Sequence, residues 1–185
     1  MEATGGVPWL AAWASRAGFR YAPEPDERWL RAWEPYATLR VPVRYEHALE
    51  STGELGSLSM ARLVVESGAA AWIAIVQDER IKSRAALSSD GRSPLAEPGD
   101  LVTLPRRATG DPAFDQVFAS FAPTPQDVQT AANERVRRLA LSWQTPVHIE
   151  LRPGGFVLAP IALGMDERSL SWLVRAVQAL GERAR

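Results

Sequence analysis

The sequence predicts an α+β fold, in which a mainly antiparallel β-sheet is packed against amphipathic helices. Residues 41–66 contain strand patterns broken by glycine turns, which are typical of antiparallel strands, and residues 71–76 are apolar on both faces, which predicts a central strand covered on each side. Residues 147–161 form a second hairpin pattern around a Gly-Gly turn. Apolar residues recur at helical spacing after Pro125 and after Asp166. We therefore expect both strand regions to form one sheet that these two helices cover.

The chain is predicted to be one domain, because its 185 residues suffice for one ordinary hydrophobic core and are few for two. We divide it into N-terminal helices (7–34), strands (41–77), a surface connection (78–100) and a C-terminal β-α-β-β-α part (101–183). The connection is polar and weakly periodic. It is either a long loop of the kind that can carry function or a loop shortened by a small strand or turn containing Ile81, Ala85, Ala86 and Leu87.

Two short helices are predicted near the N-terminus. Pro8 opens the first and Gly18 ends it, while Asp26 caps the second and Pro35 stops it. Each helix carries a Trp-x-x-x-Trp pair, and the four residues are Trp9, Trp13, Trp29 and Trp33. Indoles at this spacing favour core packing, since each buries a large area. Exposed indoles would instead indicate a docking site.

The densest local pattern lies at residues 109–118. Gly110 permits a tight turn, Asp111 can cap the following N–H groups, and Pro112 suits the first helical position. Phe114 and Phe118 then share one face of a single helical turn, after which the chain can pass into a short strand.

The acidic and basic side chains around this turn have two interpretations. Asp111 and Asp115 are either a cap with a solvated second carboxylate, which the pattern favours, or a pair for a metal ion or acid/base chemistry. Arg106 and Arg107 are either solvated or paired with these acids, or they hold a phosphate or carboxylate. We name these four side chains as candidate binding residues, together with the four tryptophans.

The two C-terminal helices have clear start signals. Thr124 and Asp127 form a variant of the capping box around Pro125, and one helix is predicted from there to Trp143. Asp166 caps the last helix, which Gly181 is predicted to close.

Both histidines fall on predicted strands. One face of the first strand is predicted to carry Val43, Tyr45, His47 and Leu49. At such a position His47 is better explained by a hydrogen bond to a backbone group than by catalysis. His148 and Glu150 lie opposite the apolar face of a later strand, where a solvated face is favoured over an acid/base pair.

Composition excludes several classes of function. With 21 basic and 22 acidic side chains the net charge is −1, so attraction to nucleic acid by bulk charge is not expected. The absence of cysteine excludes disulfides and thiolate chemistry. No stretch approaches the roughly 20 apolar residues that a membrane span needs. We expect a cytoplasmic protein without cofactor, metal or membrane insertion.

Several features together resemble a family of uncharacterised bacterial domains. They are the run Gly-Asp-x-x-Phe-Asp-x-x-Phe at residues 110–118, an alanine-bearing helix ending in Arg138-Leu139, the hairpin around Gly154 and a closing amphipathic helix. Gly18-Phe19-Arg20-Tyr21 matches a Gly-x-x-Tyr near the start of that family. Some members look membrane-anchored, whereas this chain lacks such apolar segments. The resemblance implies a fold and not an activity.

No catalytic constellation stands out, so the sequence favours a non-enzymatic role. We predict a protein-interaction module, an adaptor or subunit of a larger bacterial assembly, which binds a protein partner or itself. The alternative is a small-ligand-binding protein or hydrolase-like enzyme that uses the acids near Asp111 and Asp115, and it requires these groups to converge in one pocket.

Overall fold

The computed structural model describes residues 6–26, 45–51, 60–66, 71–89, 104–161 and 163–185. The helices in these ranges are α1 (Pro8–Ala17), α2 (Pro112–Val117), α3 (Pro125–Ala131), α4 (Glu134–Ser142) and α5 (Glu167–Arg183). The strands are β1 (Phe19–Ala22), β2 (Tyr45–Ser51), β3 (Met60–Glu66), β4 (Ala71–Gln77), β5 (Ala85–Ser88), β6 (Arg106–Arg107), β7 (Ala119–Phe121), β8 (Val147–Arg152) and β9 (Gly155–Pro160). The predicted α+β class is confirmed.

All these strands join one sheet, in the order β1-β2-β3-β4-β9-β8-β5-β7-β6. Each neighbouring pair is antiparallel. The β8–β9 hairpin turns at Gly154, whose φ of 94° is in the left-handed region that glycine tolerates. This hairpin lies between β4 and β5, so the C-terminal part of the chain supplies the middle of the sheet.

The middle strands are buried on both faces. Residues 72–76 of β4 are buried without interruption, as its run of apolar side chains predicts. The same burial extends to β8, where His148 is 0% and Glu150 9% exposed. The predicted solvated face of β8 is therefore wrong. Alternation shows which side chains share a face of a strand, but it does not show whether that face is covered.

The helices pack against the sheet and against each other. α1 contacts β1, α3 contacts β5, and α5 contacts β4. α4 packs beside α5. The N-terminus of α4 lies at the C-terminal end of α5, where Asn133 Nδ2 donates to the carbonyl oxygen of Arg183 at 2.9 Å. Among the described residues, no helix has the length and apolar character needed to cross a membrane.

The helix predicted from Pro125 to Trp143 is divided into α3 and α4. Its capping box at Thr124 and Asp127 is present as predicted. Asn133, however, is the N-cap of a new helix and accepts a hydrogen bond from the backbone N–H of Val136 at 3.1 Å. An asparagine within a helical pattern favours this alternative because its side chain competes for backbone partners.

The ends of the first and last helices test two glycine predictions. Gly18 ends α1 in the left-handed conformation, with φ 75°, as predicted. Gly181 does not close α5, which continues to Arg183. Beyond the helix, Arg185 donates to the buried carboxylate of Asp78 at 3.2 Å. Burial raises the pKa of Asp78, but the hydrogen bonds and charges of Arg80 and Arg185 leave it below its ordinary value.

His47 interrupts the predicted alternation of β2. The pairing of β2 with β3 shifts register between Glu46 and Leu49, and His47 has φ 55°. Such a bulge places consecutive residues on the buried side. Nδ1 of His47 lies 2.8 Å from the hydroxyl oxygen of Tyr21. Burial lowers the pKa of His47. Its partner is thus a side chain and not the backbone group that the sequence suggested.

The structure answers in part whether residues 78–100 form a long loop or contain a small strand. Ile81 is buried and Ala85–Ser88 forms β5, so the small-strand alternative holds for that part of the predicted connection. The two-residue strand β6 follows at Arg106–Arg107. The predicted second helix after Asp26 falls outside the described residues, as do Trp29 and Trp33.

Candidate functional site

The turn before α2 holds a set of hydrogen-bonded side chains, which we call the cap cluster: Thr109, Asp111, Asp115 and Arg137. Asp111 caps α2 as predicted, because its Oδ1 accepts from the backbone N–H groups of Ala113 at 3.1 Å and Phe114 at 3.3 Å. Arg137 on α4 donates to Asp111 Oδ2 at 3.0 Å. The pKa of Asp111 lies below its ordinary value because the Phe114 N–H and Arg137 stabilise the charged carboxylate.

Asp115 forms hydrogen bonds with the loop that precedes α2. It accepts hydrogen bonds from the backbone N–H of Thr109 at 3.0 Å, the hydroxyl of Thr109 at 2.8 Å and the backbone N–H of Gly110 at 3.2 Å. The predicted solvated carboxylate is therefore wrong. Gly110 adopts φ 81°, which turns the chain back over the first helical turn and brings these donors to Asp115. Both aspartates of the predicted pair thus bind groups of their own chain.

Arg106 and Arg107 do not join the aspartates. Arg107 donates to the carbonyl oxygens of Ala122 at 3.4 Å and Pro123 at 3.1 Å, and Arg106 is exposed on β6. The cation beside Asp111 is Arg137 instead. Within the described ranges, no group of three or more His, Asp or Glu could hold a metal ion.

The N-terminal tryptophans that the structure describes pack into the core to different degrees. Trp13 is buried and stacks on Phe19 with 5.6 Å between ring centroids. Trp9 is half-buried and packs against the same core. Binding of a partner through these indoles stays a prediction.

A polar set is buried within the sheet. His148 Nε2 lies 2.9 Å from Glu150 Oε1, while His148 Nδ1 and the hydroxyl of Ser88 are buried without a hydrogen-bond partner among the residues that the structure describes. Ser88 is directly opposite His148 in the β5–β8 pairing, so both side chains project to one face. The sequence named His148 and Glu150 as neighbours, but only the strand pairing adds Ser88.

An aromatic groove lies between the end of α4 and the start of α5. We call it the tryptophan groove, and its lining consists of Ser142, Trp143, Gln144, Thr145, Leu163, Asp166, Arg168, Ser169 and Trp172. Its volume is about 530 Å³, within the range of ligand-binding clefts. The rings of Trp143 and Trp172 meet edge to face, with centroids 5.7 Å apart.

A second groove continues along the same helices in the other direction. This arginine groove is lined by Arg135, Arg138, Leu139, Ser142, Glu182 and Arg183 and has a volume of about 570 Å³. Arg138 pairs with Glu134, and Arg183 lies 3.8 Å from Glu182. Ser142 lines both grooves, so they form one continuous surface on α4 and α5.

Two exposed aliphatic residues are close along the chain, or by a backbone hydrogen bond, to residues of the tryptophan groove. Leu141, which precedes Ser142, is 38% exposed. Ile161 is 44% exposed, and its backbone N–H donates to the carbonyl of Pro146 at 2.9 Å, next to Thr145. Tryptophan and arginine are among the residue types enriched in protein-binding hot spots.

Sequence reasoning did not single out this surface. The sequence predicts Trp143 at the end of a helix and gives Trp172 no role. The available signal was a tryptophan at the end of one amphipathic helix and another near the start of the next. Antiparallel packing of these helices would bring such positions together.

Comparisons with known proteins identify the fold. No protein-family model matches the sequence, and no curated protein matches it. The structure is similar to the crystal structure of the mycobacterial trehalose monomycolate transport factor A, TtfA, with a TM-score of 0.68. The two sequences are 14% identical, and the match covers 95% of this chain and 92% of that chain. At this identity the likeness shows a shared fold.

Proposed function

We propose that the protein is a non-catalytic interaction module, an accessory subunit of a bacterial transport assembly, and that it binds its partner through the outer surface of α4 and α5. The observation that carries this proposal is the fold shared with TtfA, a transport factor, over nearly the whole length of both chains. A match of this extent supports a similar kind of role better than a likeness confined to one motif.

The placement of the polar side chains supports the same proposal. The acids that the sequence offered for chemistry cap α2 and close the loop before it. By contrast, the α4–α5 surface presents two half-buried indoles, exposed aliphatic side chains and arginines. Such a surface suits a protein partner more than a reaction, because rigid aromatic side chains lose little entropy on binding.

Site-specific photo-crosslinking tests the proposal. A photoreactive benzoyl-phenylalanine replaces Leu141 beside the tryptophan groove, and the matched control carries it at Val117, which is 51% exposed on α2. After irradiation of cells that produce the protein at its natural level, we expect one defined adduct from position 141 and none from position 117.

The adduct's partner is then purified and titrated against the intact protein by calorimetry. We expect saturable binding that Trp172→Ala weakens, since a central hot-spot residue typically contributes about 2 kcal/mol or more. Light scattering after size exclusion separates self-association from binding of a different protein. A strictly monomeric protein with no adduct from position 141 would overturn the proposal.

A further inference from the structure

We propose that His47 is a proton-sensitive latch, which fastens the N-terminal segment (α1 and β1, residues 7–22) to the sheet when its ring is neutral and loosens that segment when the ring takes up a proton. The segment lies at one edge of the sheet, where β1 has β2 as its neighbour among the described strands. A latch at this edge goes beyond the proposed function, which concerns the outer surface of α4 and α5.

A chain of three groups joins the sheet to the start of α1. Nδ1 of His47 on β2 lies 2.8 Å from the hydroxyl oxygen of Tyr21 on β1. The same oxygen accepts a hydrogen bond from the backbone N–H of Val7 at 3.0 Å. Val7 is the N-cap of α1, and its side chain forms no cap hydrogen bond. Tyr21 therefore holds the N-terminal end of this helix, and His47 holds the hydroxyl of Tyr21.

The hydrogen bonds of this chain fit the neutral imidazole. The neutral ring has one nitrogen that accepts, and a hydroxyl has one proton to donate. With the ring proton on Nε2, Nδ1 of His47 accepts from the Tyr21 hydroxyl, whose oxygen accepts from Val7. In the imidazolium cation both ring nitrogens are donors. The hydroxyl proton then loses its acceptor, and no other described residue binds this hydroxyl, so protonation leaves one donor of the chain unsatisfied.

The surroundings of the ring also oppose the charge. His47 is 9% exposed, so its cation would lose most of its contact with water. Burial lowers the pKa of His47 more than the adjacent carboxylate of Glu46 raises it. Since the folded pKa lies below the unfolded value of about 6.5, the stabilisation by the neutral ring is complete above that pH. It is lost as the pH falls through the folded pKa.

Other charged groups near the ring have partners or lie in the adjoining loop. Arg20 of β1 forms an ion pair with Glu50 of β2, and Arg16 of α1 pairs with a glutamate of α5. Glu24 and Asp26 lie in the loop that follows β1. Within the described ranges, no carboxylate binds the ring of the histidine, so the neighbouring glutamate acts on it only through its charge.

The backbone at His47 is strained, so loss of the ring contact has a second effect. Its φ of 55° lies in the left-handed region, which a non-glycine residue keeps only when its surroundings hold it there. Two bonds hold it: the ring contact with Tyr21, and the hydrogen bond that its backbone N–H donates to the carbonyl oxygen of Pro23 at 3.1 Å. The bulge lies beside the end of the β1–β2 pairing, where Ala22 is opposite Ala48. Its relaxation therefore weakens that pairing.

The change should stay local, because the hydrophobic core also holds the N-terminal segment. Leu10, Trp13 and Phe19 are buried, and the rings of Trp13 and Phe19 stack. One hydrogen bond is small beside this packing. We therefore expect local opening of the segment to become about tenfold more frequent, without release of the segment from the sheet.

Hydrogen–deuterium exchange of the intact protein tests the latch. Exchange is followed by NMR at about pH 7.5 and about pH 5, and division by the intrinsic rate of each amide gives its opening constant. We expect opening of residues 9–22 to increase about tenfold at the lower pH. β4, which has no titratable side chain, should change less than about twofold. The ring resonances of His47 should titrate with a midpoint below about 6.5.

Two variants separate the proton from the fold, and NMR spectra show whether each is folded. His47→Asn keeps a side chain that tolerates the left-handed region and forms hydrogen bonds, but it does not titrate. Its N-terminal segment should open equally at both pH values. Tyr21→Phe removes the hydroxyl, so the segment should open about tenfold more at neutral pH and respond much less to acid. Both variants retain His148, which controls for the second histidine.

Equal opening of the wild-type segment at the two pH values would overturn the latch, as would a pH response that persists in His47→Asn. A His47 midpoint at or above about 6.5 would also overturn it, because the fold would then favour the cation. If His47→Asn does not fold, Tyr21→Phe decides: an undiminished acid response contradicts the latch, and a lost response supports it. The result of the photo-crosslinking experiment does not alter these outcomes.

Discussion

The cap cluster and the tryptophan groove both involve α4, but they differ in whether their polar side chains have hydrogen-bond partners within the protein. In the cap cluster, both carboxylates accept several hydrogen bonds from the chain itself, and Arg137 pairs with Asp111. In the groove, the two indole N–H groups have no partner among the described residues. Polar groups that are satisfied internally stabilise a fold, whereas free donors on rigid rings remain available to a ligand.

This difference reverses the ranking that the sequence suggested. In the sequence, Asp111 and Asp115 beside an arginine pair suggest a binding or catalytic site. In the structure, they cap α2 and bind the loop before it. The two tryptophans at the groove are 29 positions apart in the sequence, and only the packing of α4 on α5 brings their rings together. Four predictions test this contrast.

The largest effect is expected for Phe114→Ala, next to the cap cluster. Phe114 is fully buried and stacks on Phe118 with ring centroids 4.5 Å apart. Removal of the ring leaves a cavity, and we expect the free energy of unfolding to fall by about 3–5 kcal/mol. Urea denaturation followed by circular dichroism measures it. A change below about 1 kcal/mol would show that this turn is not part of the core.

Asp115→Ala should come second. It removes the acceptor for three donors, including the hydroxyl of the buried Thr109, so we expect a loss of about 1–3 kcal/mol in the free energy of unfolding. The matched control is Gln116→Ala at the exposed neighbouring position. Binding of the crosslinked partner should not change. If stability were retained while binding of a ligand was lost, Asp115 would belong to a site.

Acid should weaken the fold through the helix caps. The pKa values of Asp111 and Asp166 are lowered, chiefly by backbone N–H groups of Phe114 and Ser169 that donate to the carboxylates. Their contribution is complete above the unfolded pKa of about 3.9 and is lost as the pH falls through the lower folded values.

Urea titrations between neutral pH and pH 3 or so measure this dependence. The double variant Asp111→Asn/Asp166→Asn should lose less stability on acidification than the wild type. Parallel curves for the two proteins would mean that these caps do not favour the charged form.

The smallest effect on stability is expected for Gln144→Ala in the groove. Gln144 is exposed and has no side-chain hydrogen bond to a described residue, so the free energy of unfolding should change by less than about 0.5 kcal/mol. The crosslinked partner should nonetheless bind about threefold more weakly, because a side chain that lines the groove is lost. A marked loss of stability would place Gln144 with the cap cluster and remove the contrast.

Features that depend on a few consecutive residues could be predicted from the sequence, whereas features that depend on distant residues could not. The start of α3 at Thr124 was predicted because a capping box involves four consecutive residues. The break at Asn133 was missed although its cap bond to Val136 is just as local, because the apolar residues at helical spacing continue across it. His148 was predicted to be exposed because a two-residue period carries no information about a second covering layer.

By itself, the sequence determined the fold class, the β8–β9 hairpin and the capped starts of α2, α3 and α5, because propensity, turns and caps act over a few neighbouring residues. Tertiary structure alone decided which polar groups find partners. It brought Arg137 to Asp111, opened a bulge at His47 and placed Trp143 against Trp172. Whether a side chain stabilises the fold or remains free to bind depends on atoms from distant parts of the chain, and those positions are fixed only when the elements pack.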